Sequence, residues 1–414
     1  MEAGASRRPG GPGERLTALV AGRVYAPEEV AGPVTVVLRG QRILDLWRGT
    51  GAEEAAARLG EAGRVIDLGE AWLAPGLIDL HTHAFRGHDV TTGSAGEIAA
   101  MARELPRTGV TAFFPTVAST LPGPTEQQVR RIAALAEEGP EPPSAQVLGA
   151  RLEGPFISKA KKGAQYEPAI RPPDTGELAR LVEAGRGWLR LIDFAPEEDA
   201  GGRFLAAVVA HGIIACVGHT MASYEQAERA IDGGARHCTH LFDAMTPVGH
   251  RAPGVPGAFL TDRRATVEVI ADGIHLHPAV LRLVLAARGA DEVALVTDAV
   301  AAAGLGDGEY EFTGRRVVVR DGAVRLPDGT LAGSTLTMDR AVRTMVTRAG
   351  ASWEEAIRMA SWTPARIAGV DGRKGRIAAG MDADLVALDR EGEVLATWTR
   401  GRLAFEREGF GSGR

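Results

Sequence analysis

The chain has 414 residues, 45% of them hydrophobic and 24% charged, proportions ordinary for a globular protein with one large core and a minor one. Its net charge of −6 argues against a nucleic-acid partner, since binders of phosphate backbones concentrate Lys and Arg on one face. No apolar run approaches the roughly 20 residues needed to cross a bilayer, so no membrane partner is expected.

Residues 1–15 are rich in Gly, Pro and Arg, lack the apolar segment of a secretory signal, and read as a disordered tail. Leu16–Tyr25 and Val34–Trp47 are β-rich runs broken by Gly and Pro. The far end resembles them, with short runs at Arg376–Ile377, Asp384–Asp389 and Val394–Leu403. Two β-rich ends around a different middle predict that the termini meet in one small β-sandwich, residues 16–74 plus 376–414.

Residues 75–375 alternate. Strand-like runs fall at Gly76–His83, Val110–Val117, Val147–Glu153, Leu189–Phe194, Ile213–His219, Arg236–Leu241, Ala265–Ile270 and Val293–Asp298. Amphipathic stretches such as Thr125–Glu138 and Ser223–Asp232 separate them. Strand–helix alternation implies parallel βαβ units, and eight of them predict an α/β fold of the closed (β/α)8 TIM-barrel type. A hairpin-like insert, Tyr310–Thr330, follows the eighth strand. Two helices come next, one at the capping box Ser352…Glu355, the other at Thr363–Pro364. Cys216 and Cys238 lie in apolar runs and read as buried thiols in a reducing cytoplasm.

Polar residues mark one end of these strands. His81 and His83 close the first and, being two apart, face the same side. Glu153 ends the third, His219 the fifth, His240 the sixth and Asp298 the eighth. Any one of these is as readily a packed, hydrogen-bonded group. Six at the carboxyl ends, where barrel enzymes build their sites, point to a metal centre. Four imidazoles and two carboxylates suit one or two divalent ions, zinc first, with Fe2+, Mn2+ or Co2+ as alternatives. Glu153 would bridge, with His81, His83 and Asp298 on one ion and His219 and His240 on the other. His88, His211 and His237 read as surface or packing residues, and His250 and His277 stay open.

At these residues the chain resembles the amidohydrolase superfamily and, within it, the N-acetylglucosamine-6-phosphate deacetylases. The matching stretches include Ala74-Pro-Gly-Leu-Ile-Asp-Leu-His-Thr-His83, Leu152-Glu-Gly-Pro-Phe-Ile157, Val217-Gly-His-Thr220 and Thr239-His-Leu-Phe-Asp-Ala-Met245. Ala271-Asp-Gly-Ile-His275, Val296-Thr-Asp-Ala299 and Leu331-Ala-Gly-Ser-Thr-Leu-Thr337 follow in the family's order, over about residues 16–404. The resemblance implies that Glu153, His219 and His240 form the main metal site, with His81 and His83 the second. It implies Asp298 as catalytic acid/base and His275 as the group polarising the amide carbonyl. It assigns substrate contacts to Gln165, Asp243, Ala244, His275 and Ala332, and to Arg251 a hold on the sugar phosphate, often across a subunit interface, so a homodimer or higher homo-oligomer is expected.

Two departures stand out. The family usually has Asn where this chain has Asp243, and many members have His where this chain has Gln165. Both weaken the case for a phosphorylated substrate more than the case for deacetylation. The implied reaction is deacetylation of N-acetylglucosamine 6-phosphate to glucosamine 6-phosphate and acetate, a metal ion activating the water. The alternative is an amidohydrolase acting on a non-phosphorylated N-acetyl amino sugar or N-acyl amino acid. A barrel without catalysis, serving as an interaction module, would be expected to have lost ligand residues.

Overall fold

The computed structural model describes residues 15–26 and 29–410, so the tail reading of residues 1–14 lies outside the described residues. Eight parallel strands wind in chain order: Leu77–Thr82, Val110–Ala118, Ala150–Phe156, Leu189–Phe194, Ile214–Val217, His237–Cys238, Thr266–Ile270 and Val293–Val296. Each pairs with the next. The ring closes through main-chain bonds just past the eighth strand, Asp298 N to His81 O at 2.9 Å and His83 N to Ala299 O at 3.0 Å. All nine residues of Val110–Ala118 are buried, as a strand covered on both faces requires. Helices cover the outside, and three among the described residues open on capping boxes, Ser94 with Glu97, Ser223 with Gln226 and Ser352 with Glu355.

Three expected strand ends are corrected. The fifth, sixth and eighth strands stop at Val217, Cys238 and Val296, each two residues short of His219, His240 and Asp298. Those three residues adopt left-handed backbone, with φ of 47°, 26° and 47°. Such a turn takes the chain off the ladder, which continued strand pairing would not allow. It costs a residue with a Cβ about 1–3 kcal/mol.

A second sheet runs Arg402–Glu406, Val394–Thr399, Leu385–Leu388, Trp72–Pro75, Leu16–Tyr25, Glu29–Arg39 and Arg42–Arg48, with Gly63–Asp67 also on Leu16–Tyr25. Strands from both ends of the chain meet where Leu385–Leu388 pairs with Trp72–Pro75. Leu19, Val36, Leu73, Leu385 and Trp398 share one apolar cluster, so the two arms fold over a common core. Arg376–Ile377 forms no strand. The insert after the eighth barrel strand is larger than a hairpin. Gly308–Phe312, Arg315–Arg320, Ala323–Arg325 and Leu331–Ser334 make an antiparallel four-stranded sheet. Its Phe312 ring packs edge-on against His83, with centroids 5.5 Å apart.

Candidate metal centre and active site

Glu153, inside the third barrel strand, is the hub. Its Oε1 lies 3.0 Å from His240 Nε2, 3.1 Å from His219 Nε2 and 3.3 Å from His81 Nε2. Its Oε2 lies 3.0 Å from His83 Nε2. Asp298 Oδ1 is 3.3 Å from His83 Nε2 and 3.5 Å from His81 Nε2. Two groups result, His81, His83, Glu153 and Asp298, and Glu153, His219 and His240, each with its candidate ligand atoms within 4.8 Å of one another. All six residues are buried.

Outer contacts fix which ring nitrogen faces inward. His83 Nδ1 meets Thr116 O at 3.0 Å and His219 Nδ1 meets Lys161 O at 2.8 Å. A carbonyl only accepts, so each Nδ1 donates and each Nε2 turns its lone pair toward Glu153. The Nε2 atoms of His81 and His83 then stand 3.3 Å apart, and those of His219 and His240 3.2 Å apart. Facing lone pairs repel unless a proton or a cation lies between them.

Without a metal, protons fill that role. Burial opposes charge on His83, but the Glu153 and Asp298 carboxylates outweigh it and raise its pKa to about 9. His240 is likewise raised to about 9, with burial opposed by Glu153 and Asp298. His81 is raised too: burial and Arg151 oppose its charge, and Glu153, Glu268 and Asp298 prevail. Burial would lift Glu153, yet His81 and His83 hold it well below the usual carboxylate range. Imidazole nitrogens with shared carboxylate oxygens, their lone pairs converging, fit one or two borderline divalent ions.

Above the hub opens a cavity of about 310 Å³, lined among others by Gln165, Asp243, Ala244, His275 and Asp298. Burial raises Asp298, but His81 and His83 draw it below the ordinary range, so it is a carboxylate at neutral pH. His275 Nδ1 is 2.7 Å from Asp272 Oδ2. Burial lowers the pKa of His275 and Asp272 more than reverses it. Gln165 accepts from Ser119 N at 2.7 Å through its carbonyl and donates from Nε2 to Glu153 Oε2. Asp243 Oδ2 is buried with no hydrogen-bond partner among the described residues, and burial raises its pKa. Ala332 is fully buried, while its neighbours Leu331 and Gly333 line the cavity.

Arg251 is exposed and does not line its own chain's cavity. His250 is exposed as well, and His277 caps the helix Pro278–Arg288, its Nδ1 accepting from Ala279 N at 3.2 Å.

This arrangement has known counterparts. The Amidohydrolase family profile matches residues 72–404. The chain belongs to the amidohydrolase family. It is 38% identical over 332 residues to an N-acetylgalactosamine-6-phosphate deacetylase of Escherichia coli O157:H7, covering 80% of this chain and 87% of that protein. It is also 38% identical over 335 residues to an N-acetylglucosamine-6-phosphate deacetylase of Bacillus subtilis (strain 168), covering 80% and 84%. The solved structure of a mutant N-acetyl-D-glucosamine-6-phosphate deacetylase of Mycobacterium smegmatis, in complex with N-acetyl-D-glucosamine-6-phosphate, superposes with a TM-score of 0.86. That match covers 94% of this chain and 99% of the other at 32% identity.

Beneath the hub, this amidohydrolase carries charges that sequence reasoning missed. Arg151 lies 3.1 Å from Asp193 Oδ2 and 2.7 Å from Glu268 Oε2, all three fully buried. His237, read as surface or packing, is buried and donates to Glu268 Oε2 at 2.9 Å. Asp79 accepts from the Thr297 hydroxyl at 2.6 Å and from His81 N at 3.2 Å, and burial raises its pKa to about 6. The signal was present. A charged side chain in the middle of a strand covered on both faces must find a partner.

Proposed function

We propose that this amidohydrolase hydrolyses the acetamide of N-acetylglucosamine 6-phosphate, releasing glucosamine 6-phosphate and acetate. The carrying observation is the six-residue cluster, five of whose members line the cavity, in a chain 38% identical to deacetylases of amino-sugar phosphates. Glu153, His219 and His240 would hold one divalent ion, zinc first, and His81, His83, Glu153 and Asp298 a second. A metal bound there supplies a Lewis acid for the carbonyl and a more acidic water.

The protein's own groups handle the protons. Asp298 takes a proton from the attacking water as the new C–O bond forms. It returns that proton to the nitrogen as the C–N bond breaks, so the amine leaves neutral. His275, its Nδ1 held by Asp272, presents Nε2 to the carbonyl oxygen, where negative charge develops. Gln165, Asp243 and Ala244 would contact the sugar, and the segment around the buried Ala332 would reach it through Leu331 and Gly333. Arg251, exposed and away from its own cavity, would hold the phosphate in the site of a second copy, which implies a homodimer. Two buried free thiols, Cys216 and Cys238, suit the cytoplasm.

Asp243 favours a second reading, a non-phosphorylated N-acetyl amino sugar, because an unpartnered buried carboxylate oxygen suits a hydroxyl better than a dianion. Acetate release by the zinc-loaded protein from N-acetylglucosamine with and without the 6-phosphate, and from N-acetylgalactosamine 6-phosphate, separates the two. No release from either phosphorylated sugar defeats the first reading.

A further inference from the structure

Glu268 sits mid-strand in Thr266–Ile270, fully buried under the ligand cluster. Its Oε1 receives His81 Nδ1 at 2.7 Å, Arg151 Nη2 at 3.0 Å and the main-chain N–H of His240 at 3.1 Å. Its Oε2 receives Arg151 Nη1 at 2.7 Å and His237 Nε2 at 2.9 Å. Surrounded by donors, this carboxylate only accepts. His81 must therefore carry its proton on Nδ1 and present the Nε2 lone pair to Glu153, His83 and Asp298.

The other candidate ligands differ. His83 and His219 are fixed by main-chain carbonyls, and His240 Nδ1 meets no partner among the described residues. Among the described residues, Glu268 is the acceptor that meets His81 Nδ1. We infer that Glu268 is a positioning residue that fixes the tautomer and ring angle of His81, and through it the metal affinity of the His81/His83/Glu153/Asp298 subsite. This rests on the metal reading above.

Arg151 does not depend on the Glu268 carboxylate alone for charge balance. Arg151 keeps Asp193, with Nε to Oδ1 at 3.3 Å and Nη2 to Oδ2 at 3.1 Å, so removing Glu268 leaves a neutral pair rather than an orphaned cation. The turn that carries His240 keeps its bond from Leu241 N to the main-chain oxygen of Glu268 at 2.8 Å. Loss of the side chain should therefore be felt first at His81.

The test is a zinc titration of the intact protein against a chromophoric chelator, resolving two binding steps. The step that His83→Ala abolishes belongs to the His81/His83 subsite. Glu268→Ala is expected to weaken that step about 10- to 100-fold and to leave the other unchanged, the size of effect that outer hydrogen-bond partners have on metal affinity. Glu268→Gln, which keeps one acceptor oxygen, should recover part of the loss. Asp193→Asn, which changes the network without touching His81, should leave both steps as they are. An unchanged step in Glu268→Ala overturns the inference, and so does equal weakening of both steps. A wild-type protein that binds no zinc overturns the metal reading itself, a failure visible before any variant is made. Should Glu268→Ala fail to fold, 15N spectra of the zinc-loaded wild type decide. Protonated Nδ1 on His81 is expected, and protonated Nε2 overturns the inference.

Discussion

Asp272 and His275 close a turn of their own. Asp272 Oδ1 accepts from Ile274 N and His275 N, both at 2.8 Å, while Oδ2 lies 2.7 Å from His275 Nδ1. One carboxylate thus shapes the loop and sets the imidazole. His275→Ala should lower kcat about 10²–10³-fold, the range for losing one donor to a developing oxyanion. Asp272→Asn should move kcat in the same direction by less, and neither should change metal content. Loss of bound metal in either variant would tie the loop to the metal centre instead.

Asp298 is asked to carry the proton from water to amine. Asp298→Asn should cut kcat about 10²–10⁴-fold while keeping the metal held by Glu153, His219 and His240. Metal analysis beside steady-state kinetics checks both halves. Full activity in the variant would remove Asp298 from the reaction.

The metal-free protein should be sensitive to alkali. The neighbouring carboxylates raise His83 and His240 in the fold to about 9, from the ordinary imidazole value of 6.5. Their protonated forms therefore contribute stability that is complete below about 6.5 and is lost as pH rises through about 9. Metal binding must displace the same protons, so apparent affinity should climb with pH over that window. Thermal melts with and without zinc, taken across it, should diverge as pH increases. Parallel curves would contradict the assignment.

Arg151 is the one cation in contact with both Asp193 and Glu268 among the described ion pairs. Arg151→Met should destabilise the protein by about 3–5 kcal/mol, because two buried carboxylates lose their counter-ion. Denaturant unfolding measures this directly. A change under about 1 kcal/mol would mean that the cluster takes up protons without strain.

Asp243 bears on substrate choice. Asp243→Asn should raise the ratio of kcat/KM for phosphorylated over non-phosphorylated N-acetylglucosamine about tenfold, equivalent to about 1.4 kcal/mol. A ratio that stays put would place the phosphate away from this carboxylate.

The barrel and its ligand residues were readable because both follow simple periods. Alternating strands and helices give the ring, and a ligand-type residue at a strand end has a predictable place. The left-handed turns at His219, His240 and Asp298 were not readable, since neither His nor Asp announces a positive φ as glycine does. Reading those positions as strand put the residues at the correct end with the wrong backbone. Arg151, Asp193 and Glu268 lie on the third, fourth and seventh barrel strands, and their meaning emerges only when the closed ring brings them together in its interior. Arg251 is a different case. Exposed and away from its own cavity, it would act only in the proposed contact with a second copy, and such a contact would leave no trace in the folding of one chain.

The barrel's last rung has a consequence for assembly. Asp298 donates its amide to His81 O, and Thr297 reaches Asp79, so residues 79–81 and 297–298 seal the cylinder where two candidate ligands stand. A nascent chain lacking its eighth strand would have a gap at that seam and no place for a cation there. At the His81/His83/Glu153/Asp298 subsite, capture of an ion would have to wait for completion of the ring.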